Sequence, residues 1–354
     1  MTDRSEVNGR LSPTGLDLAA LRSYLDRARP GLVCGELSGE LIQGGKSNLT
    51  YTVTDGESTW VVRRPPLGHV LSTAHDMSRE FRVISALVGT RVPVPKTIAL
   101  CDNPDVIGAP FYVMEYVHGT VYRTAVETAA LGRERAYDLS LSVMDVMADL
   151  HSVDPAAIGL SDFGRPDGYL ERQVRRWRTQ LEKSTSRELP GVAELHAGLA
   201  AHVPAASGVA IVHGDYRLDN MIVDARDQIV AVLDWEMATL GDPLADLGLS
   251  LVYWGLWLDP VGGGLFGKPP EPGSLPTPDE LAARYARRRS VGDLGWYLAF
   301  GYFKIAVILE GIYYRHQAGQ TLGAGFDQVG AMVPLLVARG VESLRTAGLS
   351  VGGS

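Results

Sequence analysis

Leu18, Leu21, Leu25 and Ala28 recur at helical spacing, and Pro30 closes the helix they predict. Beyond it the period changes. Leu49, Tyr51 and Val53 alternate with polar residues in NLTYTVT, and TWVVRR follows after Asp55-Gly56-Glu57-Ser58, which is a hairpin pattern with tolerant turn residues. Phe81, Ile84 and Leu87/Val88 share one helical face, so a helix starts near Ser78. KTIALC and PFYVMEYV read as two more strands around the loop residues DNPDVIGA. From about residue 118 helical periodicity dominates. It runs through ERAYDLSLSVMDVMADLH and YLERQVRRWRTQLEKS, then through stretches near 243–257, 278–290, 294–316 and 326–345. Thr277-Pro278-Asp279-Glu280 is a helix start, with Thr as N-cap, Pro in the first turn and Glu closing a capping box. The Gly/Pro-rich stretch 260–276 fits no regular element.

This order predicts an α+β chain. Residues 1–16 form a disordered arm, and 17–117 a small strand-rich N-terminal lobe with one key helix. Residues 118–345 form a larger helical lobe, and 346–354 a flexible tail. Composition changes little in that picture. The 354 residues are 45% hydrophobic and 21% charged, enough to bury a core without a disulfide or metal staple. Cys34 and Cys101 lie far apart and read as reduced thiols of a cytoplasmic protein. The net charge of −8 argues against a nucleic-acid partner. The polar start MTDRSEVNGRLSPTG lacks a signal-peptide core. The most apolar stretch, 296–314, is interrupted by Lys304 and Glu310 and reads as a buried helix rather than a membrane span.

The candidate chemistry sits in IVHGDYRLDNMIVDARDQIVAVLDWEMATLGDPLADLG, residues 211–248. MIVD and IVAVLDW read as strands joined by a turn at Ala225 to Gln228. That hairpin places Asn220 and Asp234 nearly opposite each other at its open end. Two oxygen ligands so placed suit Mg²⁺, a hard cation that otherwise takes water and substrate phosphates. Asp215 lies just before the hairpin at the same end. Phosphoryl transfer needs these parts: metal on the phosphates and a carboxylate aimed at the incoming hydroxyl. Asp215 is the candidate base, and Asn220 and Asp234 are the candidate metal ligands.

HGDYRLDN followed by VLDWEMATLGDPLADL resembles the aminoglycoside phosphotransferase/choline kinase family, and most closely its subgroup associated with acyl-CoA dehydrogenases. The resemblance spans roughly residues 38–320. It implies a protein-kinase-like two-lobed fold and the same roles for Asp215, Asn220 and Asp234. It also implies that His213, Asp242 and Asp246 order the loop and helix ends. Gly44-Gly45-Lys46-Ser47-Asn48 stands between two strands, where glycines let backbone N–H groups approach phosphates. A Walker A loop is excluded on spacing, because Glu40 stands where its first glycine is required. By resemblance Arg63, paired with Glu80, takes the place of the usual phosphate-holding Lys. A guanidinium can clamp phosphate and carboxylate together. By resemblance also, the backbone of Glu115 to Val117 reads a nucleotide base, with Met114 packed beside it. The expected cofactors are Mg²⁺ and ATP, with GTP as the other purine option.

Aromatic residues crowd the later helices, and Tyr253 and Trp257 are the candidates for the acceptor pocket. Basic residues outnumber acidic ones there. Arg172, Arg175, Arg176 and Arg178 fall on one helix, and Arg284, Arg287, Arg288 and Arg289 on another. Arg172 and Arg176 are the candidates to meet an anionic acceptor. The expected function is a phosphotransferase acting on a small-molecule hydroxyl, of the hydroxyacyl-CoA or hydroxy-acid type. The alternatives are an aminoglycoside phosphotransferase, a nucleotide-binding pseudokinase, and a protein called acyl-CoA dehydrogenase by association.

Overall fold

A computed structural model describes residues 6–7, 10–42, 48–67, 76–259, 268–319 and 326–349. The chain divides into two compact units. The first is Met1–Gly119 with Val230–Glu236; the second is Thr120–Ile229 with Met237–Ser354.

The first unit begins with a two-residue ladder, β1 (Glu6–Val7) against β2 (Arg10–Leu11). Packing starts before residue 17: Leu16 is buried, and Tyr51 donates from its hydroxyl to Thr14 O at 2.7 Å. Helix α1 (Leu18–Ala28) follows, capped by Asp17. Five strands form one antiparallel sheet in the order β3-β4-β5-β7-β6. They are β3 (Ser38–Leu41), β4 (Leu49–Thr54), β5 (Thr59–Arg64), β6 (Thr97–Cys101) and β7 (Phe111–Glu115). The β4–β5 hairpin closes at the expected turn, with Tyr51 opposite Val62. Alternation then sorts the side chains. Tyr51, Val53, Trp60, Val62, Phe111 and Val113 share a core with Leu18, Leu21 and Leu25 of α1. Val61, Arg63, Tyr112 and Met114 alternate with them and so occupy the other face. There α2 (Met77–Leu87) packs, with Phe81 edge-on to Tyr112.

Asp55 holds the hairpin turn to the chain before β3. Its carboxylate accepts from the N–H groups of Glu57, Ser58, Cys34 and Gly35. Those bonds, Ser58 and Cys34 first, hold its pKa down to about 2. Asp55→Ala is therefore expected to cost about 2 kcal/mol of stability at neutral pH, read as a lower urea midpoint. The sign follows from the depressed pKa. The contribution is complete above the unfolded carboxyl value near ~4 and is lost as pH falls toward about 2.

The second unit is mainly helical. α3 (Ala125–Ala129) leads to the long α4 (Arg133–Ser152), then α5 (Tyr169–Ser184) and α6 (Val192–Ala201). β8 (Ala210–Val212) pairs with β11 (Thr239–Gly241). Between them in sequence runs β9 (Met221–Val223), followed by a turn closed by Asp224 N–H to Gln228 O; β10 (Ile229–Val232) then begins the segment Val230–Glu236 that belongs to the first unit. Thr120 pairs with Val223 in both directions. Then come α7 (Pro243–Leu258), α8 (Pro278–Ala286), α9 (Gly295–Gln317) and α10 (Phe326–Thr346). The capping box at Thr277 and Glu280 forms as expected, but α8 stops at Ala286 rather than near 290.

α9 is the one helix among the described residues long and apolar enough to cross a membrane. It is a core helix here, and the two charges in its interior, Lys304 and Glu310, are both buried and partnered, while Arg315 in its last turn is exposed. Glu310 accepts from Arg187 at 2.6 Å and from the Thr185 hydroxyl at 3.2 Å. Lys304 donates to Gly214 O at 2.7 Å.

Candidate active site

In the first unit, Arg63 projects from β5 between the partners Thr50 and Tyr112. Its Nε donates to Glu80 Oε2 at 3.1 Å, and an Nη donates to Asp234 Oδ1. Glu80 lies in the first turn of α2 and is buried. Burial of Arg63 works against its charge, but Glu80 and Asp234 outweigh it and raise the guanidinium pKa. Asp234 adopts a left-handed backbone, φ 64°, which non-glycine residues take at a cost and mainly at functional turns. Asn48 is buried and donates to Glu236 at 3.2 Å. Gly44, Gly45, Lys46 and Ser47 lie outside the described residues. At the end of β7 the Glu115 N–H is spent on Lys96 O, and its side chain accepts from Lys96 N–H. Met114 is buried beside it and Val117 half-buried.

In the second unit, β8 delivers the chain into a loop, His213 to Arg217, that ends in a short 3-10 turn at Leu218–Asn220. Asn220 Nδ2 donates to Asp215 O at 2.9 Å and to Asp215 Oδ2 at 3.1 Å. Its amide oxygen is thus turned away from Asp215, as a cation ligand requires. Arg217 Nε lies 3.8 Å from Asp215 Oδ1, and its Nη donates to Asp219 at 2.5 Å. The same guanidinium sits 4.7 Å from the ring centre of Tyr253. Burial first, then the Asp215 charge, pushes the Tyr253 hydroxyl pKa up. Tyr253 therefore stands beside Asp215.

The loop is anchored on buried charges. Asp246 accepts the N–H groups of His213 at 2.7 Å and Gly214 at 2.9 Å. It also meets His151 Nε2 at 3.3 Å, while His151 Nδ1 faces the Tyr285 hydroxyl at 2.8 Å. Burial opposes the Asp246 charge, yet His151 and the backbone donors hold its pKa below the usual carboxylate value. Asp215 N–H donates to His213 Nδ1 at 3.3 Å. Tyr216 reaches back to Val143 O at 3.0 Å. Asp242 caps α7 through Leu244 N–H and also accepts from Ser207. Gly214 has φ +84°, and a Cβ there would stand 2.9 Å from Met237 Cβ.

Other candidates are placed elsewhere. Arg172 donates to the carbonyls of Arg165 and Asp167, closing the loop before α5. Arg176 is exposed, 5.8 Å from the Trp177 ring centre. Trp257 is buried against Trp254. Of the second basic run, Arg284 pairs with Asp145 at 2.6 Å, Arg288 pairs with Asp149, and Arg289 donates to His151 O. These three brace α8 and the turn that follows it to α4. The pattern reading passed over Arg217, His151 and Lys304. Arg217 was legible inside the motif itself; the other two announce themselves only through tertiary contacts.

Comparison with known proteins fits this geometry. The model of the phosphotransferase enzyme family matches residues 38–299. The acyl-CoA dehydrogenase family member 10 of Mus musculus is 34% identical over 329 residues, which are 90% of this chain and 31% of that protein. The chain thus spans about a third of that relative's length. A crystal structure from Ralstonia eutropha, described as a candidate aminoglycoside phosphotransferase, is 34% identical with a TM-score of 0.80, covering 93% of this chain and 98% of that one. The GDP complex of aminoglycoside 2'-phosphotransferase-IIIa shares the fold at 14% identity, with a TM-score of 0.60 over 94% of this chain and all of that one.

Proposed function

Because the chain belongs to the phosphotransferase enzyme family, we propose that it transfers the γ-phosphoryl group of a purine nucleoside triphosphate to a hydroxyl of a small molecule. The observation that carries this is Asp215, held by Asn220 and flanked by Arg217 at the end of β8. Asp215 accepts the hydroxyl proton as the oxygen attacks the γ-phosphorus, the bond from that phosphorus to the β–γ bridging oxygen breaks, and the nucleoside diphosphate leaves. Arg217 offsets charge beside it. Transfer of this kind depends on positioning and charge neutralisation more than on covalent chemistry. By the family resemblance, Asn220 Oδ1 in the second unit and the Asp234 carboxylate in the first are each a donor that would suit Mg²⁺. That ion, when bound, supplies charge neutralisation on the phosphates. Among the described residues no three His, Cys, Asp or Glu side chains form a metal cluster by themselves. Mg²⁺ suits such a sparse donor set, since phosphates and water complete its shell. Arg63, fixed by Glu80, faces the phosphates, and the strand end at Met114, Glu115 and Val117 receives the base. The GDP in the related aminoglycoside phosphotransferase supports a purine nucleotide.

The acceptor is an anionic hydroxy acid or hydroxyacyl carrier. A polycationic aminoglycoside calls for several carboxylates, whereas Arg217, Lys304 and Arg176 put cations near Asp215 or its loop. The name acyl-CoA dehydrogenase belongs to a relative about three times longer and is not carried over to this chain. The test is ADP release and phosphorus NMR with MgATP, offering 3-hydroxybutyrate, 3-hydroxybutyryl-coenzyme A and kanamycin. A new phosphate ester on either hydroxy compound is the expected result. Phosphorylation of kanamycin alone would overturn the acceptor class, and no ester on any acceptor would count against transfer itself.

A further inference from the structure

Lys304 is an ammonium with a relative exposure of 8%, placed at the middle of the core helix α9. Among the described residues its one hydrogen bond is to Gly214 O at 2.7 Å, the carbonyl immediately before Asp215. Its Nζ stands 5.4 Å from the ring centre of Trp177 on α5. The charged groups facing it are Asp215 on the loop, Asp246 on α7 and Arg176 on α5. Burial pushes its pKa down, the two carboxylates pull it back up, and Arg176 pushes it down again. A backbone carbonyl can be satisfied by water or by a neutral donor. Burying an ammonium to do so is costly and is not explained by carbonyl satisfaction alone.

The carbonyl is the one that matters for aim. The peptide linking Gly214 to Asp215 carries Gly214 O at one edge, held by Lys304. The peptide before it gives the Gly214 N–H to Asp246. Gly214 lies between these anchors in a left-handed conformation, with Met237 against it. Opposite charges therefore grip consecutive peptides from two helices, α7 and α9. We infer that Lys304 is a positioning residue for phosphoryl transfer, holding the Gly214–Asp215 peptide so that the Asp215 carboxylate is aimed before the acceptor arrives. This rests on the reading of Asp215 as the catalytic base. The favourable charges of Asp215 and Asp246 make the ammonium tolerable in its buried place. Neither the phosphotransferase fold nor any relative named above assigns this role.

The test uses the full chain carrying Lys304→Met, with Lys304→Arg as the conservative variant. Backbone hydrogen exchange reads the loop without requiring turnover. In Lys304→Met the amides of Asp215 and Tyr216 are expected to exchange about tenfold faster or more, with α4 unchanged. With the best hydroxyl acceptor, kcat is expected to fall roughly 30-fold or more while the KM for MgATP stays within about twofold. Lys304→Arg keeps the charge and a donor, and is expected to restore part of both. If Lys304→Met does not fold, Lys304→Gln replaces it and the same readings apply. Unchanged exchange at Asp215 and Tyr216 overturns the assignment, whatever the activity. Equal kcat in wild type and the variant overturns it too, as does a loss confined to the KM for MgATP. A wild type without phosphoryl transfer sinks the catalytic reading instead, and exchange still decides whether Lys304 grips the loop.

Discussion

Asp215→Asn is expected to lower turnover by about 10²–10⁴-fold while leaving MgATP affinity nearly unchanged. The substitution is nearly isosteric. Its amide oxygen can still accept from Asn220 Nδ2, the bond that now spans 3.1 Å. What disappears is the negative charge and the ability to take a proton from the attacking hydroxyl. Arg217, 3.8 Å away, loses part of its compensation but keeps Asp219 and the Tyr253 ring. The fold should therefore survive, with a stability change of about 1 kcal/mol or less. Calorimetric MgATP titration and steady-state kcat on the same preparation separate the two effects. Activity within threefold of wild type would remove Asp215 from its role. A collapse of nucleotide affinity would recast it as part of the nucleotide site.

Much of this arrangement was legible in the chain, because it is local. The turn before β10 follows from Asp224 to Gln228, and the β4–β5 register from alternating Tyr51 and Val53. Arg63 and Glu80 lie on a strand and a helix that periodicity marks out; their pairing was implied by the family resemblance, and the two side chains meet. Charges whose partners are distant in sequence were not legible. Arg284, Arg288 and Arg289 read only as basic residues of one helix, yet each finds its partner on α4. Arg172 read as a substrate contact, yet two nearby carbonyls absorb it. Lys304 read only as a break in an apolar run, because nothing on its own helix reveals the carbonyl it meets. A charge pattern gives the sign available on a face. Which backbone or side chain meets it is decided by packing.

Asp246 is where that packing carries the greatest energetic consequence. Asp246→Ala is expected to cost about 3–5 kcal/mol, since it strands the N–H groups of His213 and Gly214 and leaves His151 unanswered in a dry interior. Asp246→Asn should cost less, because one amide oxygen can still accept from one or both backbone donors, while the charge is lost. The pH dependence distinguishes them from a generic core defect. The native carboxyl pKa lies below the unfolded value, so its stabilisation is complete above the unfolded carboxyl range near ~4 and fades as pH falls below it. Urea unfolding at pH 7 and pH 3 should therefore show a large gap between wild type and Asp246→Asn that narrows in acid. A gap that stays constant across that window would mean the Asp246 charge is not what anchors the loop. The tie between the loop's aim and its stability would then rest on Lys304 and the left-handed turn at Gly214 alone.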